Sequence, residues 1–329
     1  MNNQFLQFEV FAKNINIDEQ MIRYYGHHFL KQFLRGKPIR FGFKQWAMCF
    51  AETRFCLHAE LYERKQNQAF PVGGFGASVI LKHISLVDNP TDNVFYFDNF
   101  FTSHALMKNL GKRNIRATET FRYNRTNECP FKTDEEMKAE IRGTFDYRFD
   151  KNNDIFAVTS KDNNIVKLLS NHQGLDPIHF VSRYSRTDKK TVAVPLTSCI
   201  SNYNKYMGGV VKLDWLINKY RIKILSKKWY FPLITNLIDI IAVNAHVIYE
   251  IANGKIPFLD LTIARTYLAT SSISDPKRLG RPSLHKLTSK GVPEDIRKSR
   301  DGHFIERTEG GKQKKCAICK KNARKVPKV

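Results

Sequence analysis

Val94-Phe95-Tyr96-Phe97-Asp98-Asn99-Phe100-Phe101-Thr102-Ser103 is the stretch whose reading decides the fold. Within it, Phe95 to Asp98 read as a short buried strand, the apolar run being too brief for a helix. Asp98 ends that strand, and a carboxylate at a strand end points into a cleft. Thr102 or Ser103 then offers a hydroxyl cap for a helix reaching about Leu110, with Leu106 and Leu110 on one face. Arg116 to Arg122 returns as another strand, so the unit is strand, helix, strand.

Working outward, Phe43 to Phe50 and Phe55 to Tyr62 read as strands joined by the short turn Ala51-Glu52-Thr53-Arg54. Ala77 to Ile84 is a helix candidate opened by Gly73, Gly74 and Gly76, which read as a plain turn. Upstream, Asp18 also follows a short apolar run, in Ile15-Asn16-Ile17-Asp18-Glu19-Gln20. Asp214 lies in Gly208-Gly209-Val210-Val211-Lys212-Leu213-Asp214. Carboxylates converging from separate elements can hold two Mg²⁺ ions for in-line displacement at a phosphate.

The chain has 329 residues, with 54 Lys and Arg against 31 Asp and Glu, a formal charge of +23. An imbalance of that size makes nucleic acid the first partner to expect. The most apolar stretch, Phe231 to Ile251, carries Asn236, Asp239, Asn244, His246 and Glu250. It reads as a buried helix with a polar edge rather than a membrane span. Six cysteines in a chain this long are no disulfide framework, and no secretory leader is visible. With this charge, the expected location is the nucleus.

Four segments follow from texture. Residues 1–122 are the mixed α/β first half of a core, and 123–201 a β-rich insertion of brief runs (Ile155 to Val158, Val166 to Leu169, Ile178 to Val181, Val192 to Val194). Residues 202–270 are helical, with one helix from Trp229 to Tyr249. Residues 271–329 are a flexible basic tail. From Asp275 onward there are 17 Lys and Arg against 6 Asp and Glu, and too little apolar surface to offset ordering entropy. The expected DNA contacts are Lys277, Arg278, Arg281, Lys312, Lys314, Lys315, Lys320, Lys321, Arg324 and Lys325. Cys316 and Cys319 have zinc-ligand spacing but supply half of a site, so no zinc is expected there. Cys49, Cys56, Cys129 and Cys199 read as small apolar residues, and His27-His28 as a surface pair.

In order and spacing, several pieces together resemble the piggyBac transposase-derived proteins over about Ile15 to Arg281. They are Ile17-Asp18-Glu19-Gln20-Met21, Leu30-Lys31-Gln32-Phe33, Lys37-Pro38-Ile39 and Gly42-Phe43-Lys44. They continue with Phe97 to Ser103, Arg122-Tyr123-Asn124-Arg125, Tyr203 to Val210, Lys227-Lys228-Trp229-Tyr230 and Gly280-Arg281-Pro282-Ser283. The resemblance implies an RNase H-like mixed sheet with flanking helices and a β-rich insertion domain. It also implies a homodimer and DNA cut-and-paste chemistry by three carboxylates with Mg²⁺ or Mn²⁺. Asp18 and Asp98 match the first two catalytic aspartates. The third falls on Val211, and Asp214 matches the second acid of that motif.

Valine offers a metal no oxygen. The expectation is therefore a DNA-binding, catalytically impaired transposase relative. The alternatives are an active enzyme working through Asp18, Asp98 and Asp214, and a remnant without function. Two further departures point the same way. Glu119 stands where the family usually has glycine, and only 17 residues precede Asp18. That short lead reads as a fragment, a truncated product or a decayed copy. Nothing in the sequence suggests a small-molecule substrate.

Overall fold

β1 (Asn14–Arg23) and β3 (Phe41–Phe50) carry the centre of the protein, pairing antiparallel from Ile15↔Phe50 to Arg23↔Gly42. Both strands are buried almost end to end, because helices cover both faces of the sheet around them. The computed structural model describes residues 2–8, 12–63, 72–125, 129–185, 189–221 and 228–254. These form a nine-stranded mixed sheet in the order β2 (Lys31–Phe33), β3, β1, β5 (Val94–Phe97), β6 (Arg116–Thr120), β9 (Ile165–Ser170), β8 (Ile155–Lys161), β7 (Phe145–Asp150), with β4 (Cys56–Leu61) beside β3. β2 (Lys31–Phe33) and β4 (Cys56–Leu61) share one edge of β3 at different heights. The hairpin read between residues 43 and 62 is present, and Arg54 in its turn has φ 61°. α1 (Asn2–Leu6) buries Phe5 against the same core.

β5 (Val94–Phe97) lies parallel to β1, and β6 (Arg116–Thr120) parallel to β5. Parallel neighbours need a crossover, which α3 (His104–Lys112) supplies. Of the two hydroxyls read as caps, Ser103 takes the role and accepts from the Leu106 amide at 3.1 Å. The Thr102 hydroxyl instead bonds the Asp98 and Thr120 carbonyls, tying the ends of β5 and β6 together. α2 (Gly74–Ile84) starts three residues earlier than read, and Gly73 at φ 64° and Gly74 at φ 85° turn the chain into it. Gly76 lies inside the helix, and the position requires glycine because a Cβ there would sit 2.5 Å from the Phe100 carbonyl oxygen.

Within 123–201 lie α4 (Asp134–Ala139), with its Thr133–Glu136 capping box, and five strands. β7 (Phe145–Asp150), β8 (Ile155–Lys161) and β9 (Ile165–Ser170) extend the main sheet, because β9 pairs with β6 from Thr118↔Ser170. β10 (His179–Ser185) and β11 (Lys190–Leu196) form a separate hairpin sheet.

The expected helical region comprises α5 (Ser198–Tyr206), α6 (Gly209–Tyr220) and α7 (Phe231–Asn253). α5 packs Cys199, Ile200 and Tyr203 onto Val94, Tyr96, Val158 and Leu168. α7 differs from its sequence reading. Asn236, Asn244 and His246 face the core, while Ile234, Leu237, Ile238 and Ile241 are exposed. A register shift between Met48 and Cys49 leaves Cys56 short of strand partners. Asn244 replaces them, accepting from the Cys56 amide and donating to its carbonyl, both at 2.8 Å. Its polar residues are thus structural partners of β4 and Arg221, which bonds Asn236 and Asp239. Among the described residues, α7 is the one helix long and apolar enough, at mean hydropathy 1.6, to cross a membrane by length and composition.

Candidate active site

Side chains alternate along β1, so Asn16, Asp18 and Gln20 share one face and Ile17 and Glu19 the other. The parallel pairing of β1 with β5 runs Asn14↔Val94, Ile15↔Phe95, Asn16↔Tyr96. Asp98 follows the last residue of β5, close enough to Asp18 for its charge to act on that carboxyl. Asp18 is 8 % exposed and accepts from the Glu19 amide at 2.7 Å. Asp98 closes the strand with a turn, its Oδ1 accepting from the Phe100 amide at 2.8 Å.

The electrostatics fit a pair of acids sharing a desolvated place. Burial pushes the Asp18 carboxyl up to about 7, against the Glu19 amide and Lys37, with Asp98 and Glu19 adding repulsion. Burial also raises Asp98, opposed by the Phe100 amide, while Glu19 repels it and Lys37 and Lys44 attract it. Desolvated neighbouring carboxylates resist ionising together, and a divalent cation would relieve both penalties. This donor set fits a hard oxygen-seeking ion such as Mg²⁺ or Mn²⁺.

α6 is docked on the same face by two amide side chains. Asn16 Oδ1 accepts from the Val210 amide at 2.9 Å, one of the orphan donors of the first helical turn. Its Nδ2 donates to the Tyr96 carbonyl at 3.3 Å. Gly209 permits this approach, since a Cβ there would meet the Phe50 carbonyl oxygen at 3.0 Å and Asn16 Cβ at 3.3 Å. Two positions further along β1, Gln20 Nε2 donates to Asp214 Oδ1 at 3.2 Å, and Asn218 Nδ2 donates to the same oxygen at 3.0 Å. Burial raises the Asp214 carboxyl, with Gln20, Arg221, Asn218 and Lys37 favouring its charged form. Val211 is 61 % exposed, so no core packing accounts for a β-branched apolar residue there.

Asp18 and Asp98 are brought together, and Asp214 lies on their side of β1 but is held by Gln20 and Asn218. Glu119 pairs with Phe97 across β5 and β6 and so projects to the opposite face. It is fully buried, and among the described residues neither of its oxygens is hydrogen-bonded. Burial holds that carboxyl well above the usual range, with the Arg125 charge favouring its charged form and Asp98 opposing it. Of the His27-His28 pair, His27 is exposed and His28 is half-buried, stacking on Trp229 at 4.1 Å between centroids. Cys49, Cys56 and Cys199 are buried and Cys129 partly so, all as free thiols. Lys277, Arg278, Arg281, Lys312, Lys314, Lys315, Lys320, Lys321, Arg324, Lys325, Cys316 and Cys319 lie outside the described residues. Sequence reasoning missed Asn16 and Gln20. A period of two around Asp18 carries the signal that would have found them.

The chain is similar to known proteins over most of its length. A family profile described as Transposase IS4 matches residues 1–246. The chain is 34 % identical to the human PiggyBac transposable element-derived protein 3 over 98 % of its own length and 54 % of that protein. It is 32 % identical to the human PiggyBac transposable element-derived protein 2 over 97 % of its length and 53 % of that protein. It therefore spans about half the length of these relatives. Among solved structures, a cryo-EM piggyBac transposase synaptic complex with hairpin DNA superposes with a TM-score of 0.64 at 23 % identity. That match covers 86 % of this chain and 57 % of the other. The mixed α/β fold, the profile and the relatives agree: the chain belongs to the Transposase IS4 family, among its piggyBac-type, transposase-derived members.

Proposed function

We propose that this chain is a transposase-derived DNA-binding protein whose strand-cleaving site is impaired at Val211. The observation that carries the proposal is the state of the three acid positions. Asp18 and Asp98 share a desolvated face, while α6 presents an exposed valine where the resemblance expects the third aspartate. A cation held by Asp18 and Asp98 would neutralise charge at a phosphate. Two-metal displacement needs a second ion ~3.5–4 Å away, and valine gives it no ligand. A DNA partner is supported by the charge of +23 and by the hairpin DNA in the structural relative. A nuclear location would follow.

A second reading has its own observation. Gln20 holds Asp214 on the Asp18 side of β1, so Asp214 could serve as a displaced third ligand. Strand cleavage in Mg²⁺ or Mn²⁺ by wild type, Val211→Asp and Asp214→Asn separates the readings. The expected result is no cleavage by wild type and a gain with Val211→Asp that is lost again on Asp18→Asn. Robust wild-type cleavage that disappears with Asp214→Asn overturns the impaired reading. DNA binding itself should be salt-sensitive. If about six phosphates are neutralised, affinity falls ~10³-fold between 50 and 200 mM salt. Removing residues 271–329 should abolish most of that slope, and an unchanged slope would place the contact elsewhere.

A further inference from the structure

On the sheet face opposite Asp18, β4 and α2 bring two histidines and a glutamate together. His58 and Glu60 are two residues apart on β4, opposite Met48 and Trp46, so they share a face. His83 sits in the last turn of α2. One ligand atom from each of the three lies within 4.8 Å of the other two. The imidazole rings stand edge to face, with centroids 5.2 Å apart.

The hydrogen bonding of these rings is incomplete in a particular way. His83 is fully buried, and its Nδ1 contacts the Val79 carbonyl at 2.9 Å. A carbonyl only accepts, so Nδ1 carries the proton and Nε2 presents a lone pair. Among the described residues that buried Nε2 has no hydrogen-bond partner, nor has either ring nitrogen of His58. An imidazole whose second nitrogen is anchored on a carbonyl is the usual support of a metal-ligating histidine. Glu60 uses one carboxylate oxygen for Lys82 and turns Oε2 toward His58 Nε2, at 3.8 Å. Each buried, unsatisfied polar atom is a burden on the fold that a ligand would remove.

We propose that His58, Glu60 and His83 form a binding site for a divalent transition metal of the zinc type, with the fourth position left to a small ligand such as water. Two imidazoles and one carboxylate suit zinc better than Mg²⁺ or Ca²⁺, which prefer all-oxygen cages. Tetrahedral bonds of ~2.0–2.1 Å require the ligand atoms to approach to ~3.3 Å, so side-chain rotation must draw the cluster in. Burial also lowers both imidazoles, His83 to about 4, keeping them in the neutral, metal-binding form. The metal would clamp β4 to α2, on the face opposite the Asp18–Asp98 pair and independent of Cys316 and Cys319.

The test is Co²⁺ and Zn²⁺ uptake by the full chain, read by visible absorption and metal analysis after dialysis, with thermal unfolding followed in parallel. The expected result is one ion per chain with the intense absorption of tetrahedral Co²⁺ and a raised melting temperature in Zn²⁺. His58→Gln and His83→Gln should each weaken Co²⁺ binding by more than the ~10–100-fold that loss of a supporting partner costs. Cys316→Ser with Cys319→Ser should leave the stoichiometry unchanged. A folded wild-type chain that takes up neither ion overturns the proposal. So does uptake that survives both histidine variants or is lost with the cysteines.

Discussion

Asp18 and Glu19 are neighbours on β1, yet the protein treats their carboxylates in opposite ways. Glu19 faces two lysines, Lys37 Nζ at 3.0 Å and Lys44 Nζ at 3.4 Å. Burial pushes Glu19 up, but those lysines more than offset it and leave the carboxyl below its usual range. Lys44 is itself 7 % exposed and lies over the Trp46 ring at 3.9 Å, so the pair is part of the packing. Asp18, one residue away on the other face, has no ion-pair partner among the described residues and is lifted to about 7. A carboxylate that serves the fold is paired on the spot. One kept desolvated beside another acid is being held for something else, at a cost in stability.

The largest expected effect comes from removing the paired acid. Glu19→Gln strands Lys44 in the protein and should destabilise it by about 3 kcal/mol in denaturant unfolding. Adding Lys44→Met should recover most of that loss, because a packed apolar side chain replaces the orphaned charge. A Glu19→Gln variant as stable as wild type would remove the contrast with Asp18.

Asp18→Asn should have the opposite sign. The folded state holds the Asp18 proton between about pH 4 and 7, where the unfolded chain has lost it. Stability from this group is therefore present below pH 4, falls as pH rises through 7, and stays reduced above. The variant escapes that loss. It should gain about 2 kcal/mol at pH 8 and nothing at pH 4. Destabilisation at pH 8 would mean that the carboxylate is structurally satisfied after all.

A smaller effect sharpens how the third corner is positioned. Asn16→Ala leaves the Val210 amide without its acceptor and should cost about 1.5 kcal/mol. Hydrogen exchange should speed up selectively in α6. Uniform protection across the sheet and α6 would show that Gly209 packing alone docks the helix.

Much of this was legible in the residues. The Val94 to Ser103 stretch shows its strand and cap directly, because burial and capping are local. The pairing of Asp18 with Asp98 came through resemblance, since 80 residues separate them and only the β1–β5 register joins them. The orientation of α7 was not legible. Its polar residues face inward because a register shift beside Cys56 leaves backbone groups for Asn244, a fact of β3 and β4. The His58–Glu60–His83 cluster has no motif spacing, as it forms only when α2 folds back on β4.

The central claim is that Asp18 and Asp98 form a cation site left incomplete at position 211, and Mn²⁺ titration calorimetry tests it most directly. Wild type should bind Mn²⁺ weakly at this site, Asp18→Asn should abolish that binding, and Val211→Asp should strengthen it ~10-fold or more. Tight wild-type binding that Val211→Asp leaves unchanged and Asp214→Asn removes would contradict the account.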